Sequence, residues 1–202
     1  MIENGCLYKE YELPPVNDRE ALRYAGATEN DPQAMSLLAE AKAILLPSLR
    51  PIAVIRTVDA SVTGTECNIG GLTAESSALA YAMRGCFKAV AFAATVGIGT
   101  DRIIAKYERI SGALAHMISS LASERIEALC DEISKSISEL AEASGCSAAK
   151  RFSAGYGDLA IEFQRELFSL LKPEKYIGLT LNSSLIMSPS KSVSAIIGIK
   201  RK

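Results

Sequence analysis

Apolar residues recur along this chain with two periods, and the alternation between them divides it into helices and strands. Asn17-Asp18-Arg19-Glu20 reads as an N-cap with its capping-box acid, opening a short helix that Gly26 stops. Asp31-Pro32 opens a second helix, with Met35, Leu38, Ala41 and Leu45 on one face and Pro47 at its end. Thr73 to Met83 reads as a third, ending at Gly85. The longest periodic segment runs from Ala113 to about Ala143, through Leu114, Met117, Ile118, Leu121, Ile126, Leu129, Ile133, Ile137 and Leu140 to a stop at Gly145. Such a helix is roughly 45 Å long, and a bend is expected near Ser119-Ser120.

Strand patterns lie between these helices. Pro51 to Val58 is strand-like, and Val62 to Ile69 is a weaker strand closed by Gly70-Gly71. Phe87 to Thr95 is almost wholly apolar, which predicts a central strand buried on both faces. Gly97-x-Gly99 then turns strand into helix, with Thr100 as the expected N-cap. Arg102 stands where a dinucleotide loop would place its third glycine, so that reading is set aside. Arg151 to Gly157 is a turn-rich loop leading to a helix that Asp158 is expected to cap, with Ile161, Phe163, Leu167 and Leu170 on it. Pro173 begins one more helical turn. Leu179 to Leu181 and Val193 to Ile199 read as the last strands. Long helices, few βαβ units and no G-x-G-x-x-G predict an α+β fold: a single domain over 1–202, with a mostly antiparallel sheet flanked by helices, one of them long.

Composition narrows the function classes. Of 202 residues, 49% are hydrophobic and 22% charged, which is ordinary globular usage. Twenty-two basic residues face 23 acidic ones, so no general electrostatic attraction to nucleic acid or anionic lipid is expected. The five cysteines are odd in number and none forms C-x-x-C, which argues against a disulfide framework and a zinc ribbon. One histidine, His116, gives a multi-histidine metal site or a Cys-His pair little to work with, and it reads as a packed or half-exposed helix residue. No signal peptide or membrane span is visible, so a cytoplasmic protein is expected.

Candidate chemistry gathers in two places. Ser188-Pro189-Ser190-Lys191 matches S-x-x-K, but serine is abundant here and no companion motif follows. Glu124, Glu127, Asp131 and Glu132 on the long helix read as a solvated face from which one carboxylate could enter a cleft. Arg151-Phe152-Ser153-Ala154-Gly155-Tyr156-Gly157-Asp158 carries more. Glycine allows close backbone approach and positive φ, arginine offers a fork for carboxylate or phosphate, and tyrosine supplies a flat face. A plain surface turn would use the same residues.

That stretch resembles the R-x-x-P-G-Y-[PG] loop of the activation domain of cobalamin-dependent methionine synthase. The resemblance continues through Tyr176 to Ser194, which is similar to that domain's run of I-G, L-T, S, M, P and S-V-S. Ala89 to Gly97 resembles free-standing short forms of the family. The resemblance implies an S-adenosylmethionine-binding reactivation module that supports reductive methylation of cob(II)alamin. Cobalamin would be reached only through a partner, either a corrinoid protein or a methionine synthase core. A flavodoxin- or ferredoxin-type protein would supply the electron. By position, Arg151 would bind the methionine carboxylate, Ser153, Gly155 and Tyr156 would line the ligand, and Glu127 would face its positive groups. No catalytic residue and no metal ligand is implied. Ala154 replaces the family's loop proline, and its tyrosine beyond Ser192-Val193-Ser194 has no counterpart. An accessory protein that docks on a corrinoid protein without using S-adenosylmethionine is the alternative.

Overall fold

The alanine-rich run predicted as a central strand forms the spine of a mixed sheet-and-helix structure. The computed structural model describes residues 2, 3 and 5–202. Its strands β1 (Ile2–Glu3), β2 (Cys6–Glu10), β3 (Ile52–Thr63), β6 (Cys86–Thr95), β7 (Cys146–Ala148) and β10 (Ser192–Arg201) stand in the order β1-β2-β3-β6-β10-β7. Every pairing among them is antiparallel. Strand β3 is long enough to pair with β4 as well as with its neighbours β2 and β6. Ile52 to Asp59 pairs with β6, and Ala60 to Thr63 with β4 (Glu66–Ile69), which in turn pairs with β5 (Leu72–Glu75). A separate two-stranded ribbon joins β8 (Thr180–Leu181) to β9 (Met187–Ser188).

Side chains alternate across β6, and each face has its own cover. Val90, Phe92 and Ala94, with Ala195 and Ile197 of β10, pack under Leu129, Ile133 and Ile137 of the long helix α5 (Gly112–Ala143). Ala89, Ala91 and Ala93 face the other way. They meet Leu79 and Met83 around α3 (Ser77–Ala82) and Phe163, Leu167 and Leu171 of α6 (Phe163–Leu171), which α7 (Pro173–Ile177) follows. Burial on both faces is why this antiparallel strand lacks polar alternation. The first half of α5 extends past the sheet. There Leu114, Met117, Ile118 and Leu121 form a third cluster with α1 (Asp18–Tyr24), α2 (Pro32–Leu45) and α4 (Gly99–Glu108).

Several local expectations give way to tertiary contacts. Leu72 to Glu75 is strand rather than helix, because Gly70 and Gly71, at φ 61° and 89°, turn the chain back on β4; helix begins only at Ser77. Thr100 does not cap α4. It lies inside the first turn, wholly buried, and Ile98 holds the cap position. Asn17 caps α1 through Glu20 N–H at 3.2 Å, but the Glu20 carboxylate turns to Arg23 instead of closing the box. The Asn17 N–H goes to Glu124 of α5 at 3.1 Å. Helix α5 is unbroken through Ser119-Ser120, and Leu140 is 71% exposed rather than on its apolar face. Asp158 does not cap α6, which starts five residues later; its carboxylate caps α3 instead. No helix among the described residues is long and apolar enough to cross a membrane.

Candidate functional site

After β7 the chain continues beside β10 as an irregular edge. Phe152 and Ile196 exchange both backbone hydrogen bonds, at 2.9 and 2.8 Å. This anchor sets the parity of the loop. Phe152 packs with the α3 and α6 side of the sheet, while Arg151, one residue earlier, turns to α5. Its Nη2 donates to Glu127 Oε2 at 2.6 Å. Its other terminal nitrogen, Nη1, is shielded from solvent and has no hydrogen-bond partner among the described residues.

Two of the residues singled out from the sequence are thus joined directly. Around them the electrostatics are coupled. Burial pushes the Cys130 thiol up to about 12, although the Arg151 guanidinium beside it opposes the shift. Burial also raises the Asp131 carboxyl; Arg151 pulls it down, while Glu127 and Glu132 push it up. Burial works against the Arg151 charge, yet Cys130, Glu127 and Asp131 outweigh it and hold its pKa above the ordinary guanidinium value.

Glu127 also lines a groove of about 490 Å³ between α5 and the segment leading into α1. Pro14, Pro15, Asn17, Glu20 and Tyr24 form one wall, and Glu124, Glu127, Ala128, Asp131 and Glu132 the other. Its size is in the usual range for a small-molecule site. Five carboxylates on its lining favour a ligand with positive charge. A buried ion pair fixes the first wall. Arg125 engages the Glu124 carboxylate and donates to the carbonyls of Pro14 at 2.6 Å and Pro15 at 3.3 Å. The expected solvated face therefore holds two different kinds of acid: Glu124 is 5% exposed and structural, and Glu127 stands at the groove.

The remaining predicted residues sit on the loop beyond Phe152. Gly155, at φ 82°, donates its N–H to Leu159 O at 2.9 Å, and Tyr156 N–H bonds Ser153 O at 3.2 Å. Both amides are therefore engaged inside the loop. What faces outward is the Tyr156 ring, 72% exposed, with its edge against Phe152 at 6.0 Å between centroids. Ser153 is half-buried. Residues 151–157 are not part of the groove lining; Arg151 reaches its rim through Glu127. His116 is exposed, its ring nitrogen 3.2 Å from Ala25 O. The Glu124–Arg125 pair and the capping role of Asp158 went unseen in the sequence. A charged residue four positions after Leu121 and four before Leu129, on the buried stripe of α5, is the signal that could have found Arg125.

Fold and site together define an α+β domain with an arginine loop at a sheet edge set against an acidic helix. The chain belongs to the family of the vitamin B12 dependent methionine synthase activation domain, whose model matches residues 82–202. It is also similar to the crystal structure of the MetH reactivation domain bound to AdoHcy. That likeness has TM-score 0.70 at 16% identity and covers 96% of this chain and 78% of that one. Comparison with curated protein sequences finds no match.

Proposed function

We propose that this chain is an S-adenosylmethionine-binding reactivation module, acting on cob(II)alamin held by a separate methionine synthase core or other corrinoid protein. The observation that carries the reading is Arg151: a guanidinium half engaged by Glu127, with its shielded Nη1 lacking a partner, at the rim of an acidic groove. A free methionine carboxylate satisfies such a fork, and the ligand's ammonium and sulfonium suit the carboxylates of Glu127 and Asp131. The family to which the chain belongs, and the AdoHcy held by its structural neighbour, support the same ligand class.

The bound donor would pass its sulfonium methyl to cob(I)alamin, forming the cobalt–carbon bond as the carbon–sulfur bond breaks and leaving as S-adenosylhomocysteine; no side chain of this protein would take part in bond making. Arg151 orients the amino-acid end, Glu127 holds the positive centre, and Ser153, Gly155 and Tyr156 border the remainder. The protein's contribution is positioning and charge complementarity. A flavodoxin- or ferredoxin-type donor supplies the electron, and the setting is cytoplasmic. Residues 1–202 act as one domain.

A second reading has its own support. Glu127 already occupies half of Arg151, and the Gly155 amide is engaged by Leu159, as suits an accessory protein that docks on a corrinoid partner without the methyl donor. Calorimetric titration with S-adenosylmethionine and S-adenosylhomocysteine separates the two. Saturable heat supports the module; silence at millimolar ligand leaves the accessory protein. The functional test is methylcobalamin formation on the partner from cob(II)alamin, a one-electron reductant and S-adenosylmethionine. An equal rate with and without this protein overturns the reactivation role.

A further inference from the structure

We infer that Asp158 is a positioning residue for the ligand-binding loop, setting where Tyr156 stands by tying the loop to α3. The inference rests on the reading of residues 151–157 as that loop. Asp158 lies in a turn at the surface, yet its carboxylate collects four donors from one remote element. Ser76 Oγ donates at 2.5 Å, Ser77 N–H at 2.8 Å and Ala78 N–H at 3.0 Å, and Ser77 Oγ is the fourth. Hydrogen bonds from Ser76 and Ser77, then from the backbone of Ala78 and Ser77, hold its pKa well below the usual carboxylate range. Helix α3 has a local cap besides the two amides that Asp158 accepts. Ser76 provides it, its hydroxyl accepting from Leu79 N–H at 3.0 Å.

The neighbouring residue shows how tightly the two elements meet. Gly157 has φ 59°, and a Cβ there would fall 2.7 Å from the Ala78 Cβ. Any side chain at this position would push the loop off α3. The loop's other end is held by the Phe152–Ile196 backbone pair. Between these two anchors Tyr156 keeps an exposed ring against Phe152, and Leu159 N–H returns to Tyr156 O at 3.1 Å. A loop ordered before ligand arrives loses less conformational entropy on binding, so its anchors contribute affinity without touching the ligand.

The test compares wild type with Asp158→Ala, Asp158→Asn and Gly157→Ala. Calorimetry gives affinity for S-adenosylhomocysteine, and hydrogen exchange without ligand reports the amides of residues 155–157 and of β6. Asp158→Ala is expected to bind about tenfold more weakly and to exchange faster at 155–157, with β6 unchanged. Asp158→Asn keeps one acceptor and falls between, whereas Gly157→Ala matches Asp158→Ala by attacking the same contact from the other side. Wild-type affinity in Asp158→Ala overturns the positioning role alone. If the wild type itself does not bind, the reading of the loop falls and the positioning role falls with it. Slowed or unchanged exchange at 155–157 in Asp158→Ala also overturns it, whatever the affinity.

Discussion

Arg151 and Glu127 form an ion pair at 2.6 Å that ties the loop beyond β7 to the long helix α5, and among the described residues it leaves Nη1 of the arginine without a hydrogen-bond partner. Arg151→Ala removes a charge-assisted fork, worth about 1.5–3 kcal/mol, so affinity for S-adenosylmethionine is expected to fall roughly ten- to a hundredfold. Titration calorimetry measures it. An unchanged affinity would place the carboxylate elsewhere.

Glu127→Gln separates the ligand's two charges. S-adenosylmethionine carries a sulfonium that S-adenosylhomocysteine lacks, while both carry the ammonium. With Glu127 facing the positive sulfur, the variant is expected to lose more affinity for the sulfonium ligand than for the thioether. Equal losses would assign Glu127 to the ammonium.

Acidity at the groove follows from Asp131. Its carboxyl is raised by burial, opposed by Arg151 and reinforced by Glu127 and Glu132. A raised pKa means that it takes up a proton on acidification before ordinary carboxylates do. Folding stability from this group then increases as pH falls, while the groove loses negative charge. Glu20 and Tyr24 of α1 and Glu124, Glu127 and Glu132 of α5 line the same groove, and Arg151 reaches its rim through Glu127. Affinity for S-adenosylmethionine is therefore expected to decline on acidification, starting above the range in which ordinary carboxylates titrate, more steeply than in Asp131→Asn. Parallel slopes in the two proteins would remove Asp131 from the binding charge.

The Glu124–Arg125 pair makes a stability prediction. Both side chains are almost fully buried, so Arg125→Met leaves an uncompensated carboxylate and is expected to cost about 3–5 kcal/mol in urea unfolding. Glu124→Gln combined with Arg125→Met is expected to cost less than Arg125→Met alone. The reverse order would mean that Glu124 needs no counter-charge.

Thiol chemistry should be selective. Cys6, Cys67, Cys86 and Cys130 are buried and only Cys146 is partly open, while burial raises Cys67, Cys86 and, most of all, Cys130. A disulfide reagent such as Ellman's is expected to modify Cys146 quickly and the other four only after unfolding. Fast reaction at Cys130 would show that Arg151 opens its cover in solution.

The parts of this molecule legible in the sequence are those whose cause is local or periodic. The buried run of β6, the stripe of α5 and the Asp31-Pro32 start of α2 each carry their own signal, and each forms where expected. The loop from Arg151 to Gly157 was visible as glycines around a tyrosine, and Glu127 as an acid on a helix face. Their joining was not, because it depends on which face of the sheet each residue takes. Caps were misread for a related reason. Asp158 stands before a helix, yet its acceptors serve a helix some eighty residues earlier, and no local pattern distinguishes the two. Leu72 to Glu75 has the composition of a helix start, and only pairing with β4 makes it a strand.

The place of β10 has a consequence for how the binding loop comes into being. Phe152 is held by Ile196, a residue of an inner strand that follows the loop in the chain. During synthesis, at about 5–20 residues per second, Arg151 and Tyr156 emerge seconds before the strand that will fix them. Until β10 inserts between β6 and β7, the loop has no backbone template, and closing so non-local a contact is slow. The loop's order is therefore acquired late, as a property of the completed sheet rather than of the motif. The strand that completes the core beneath α5 is also the strand that fixes the loop.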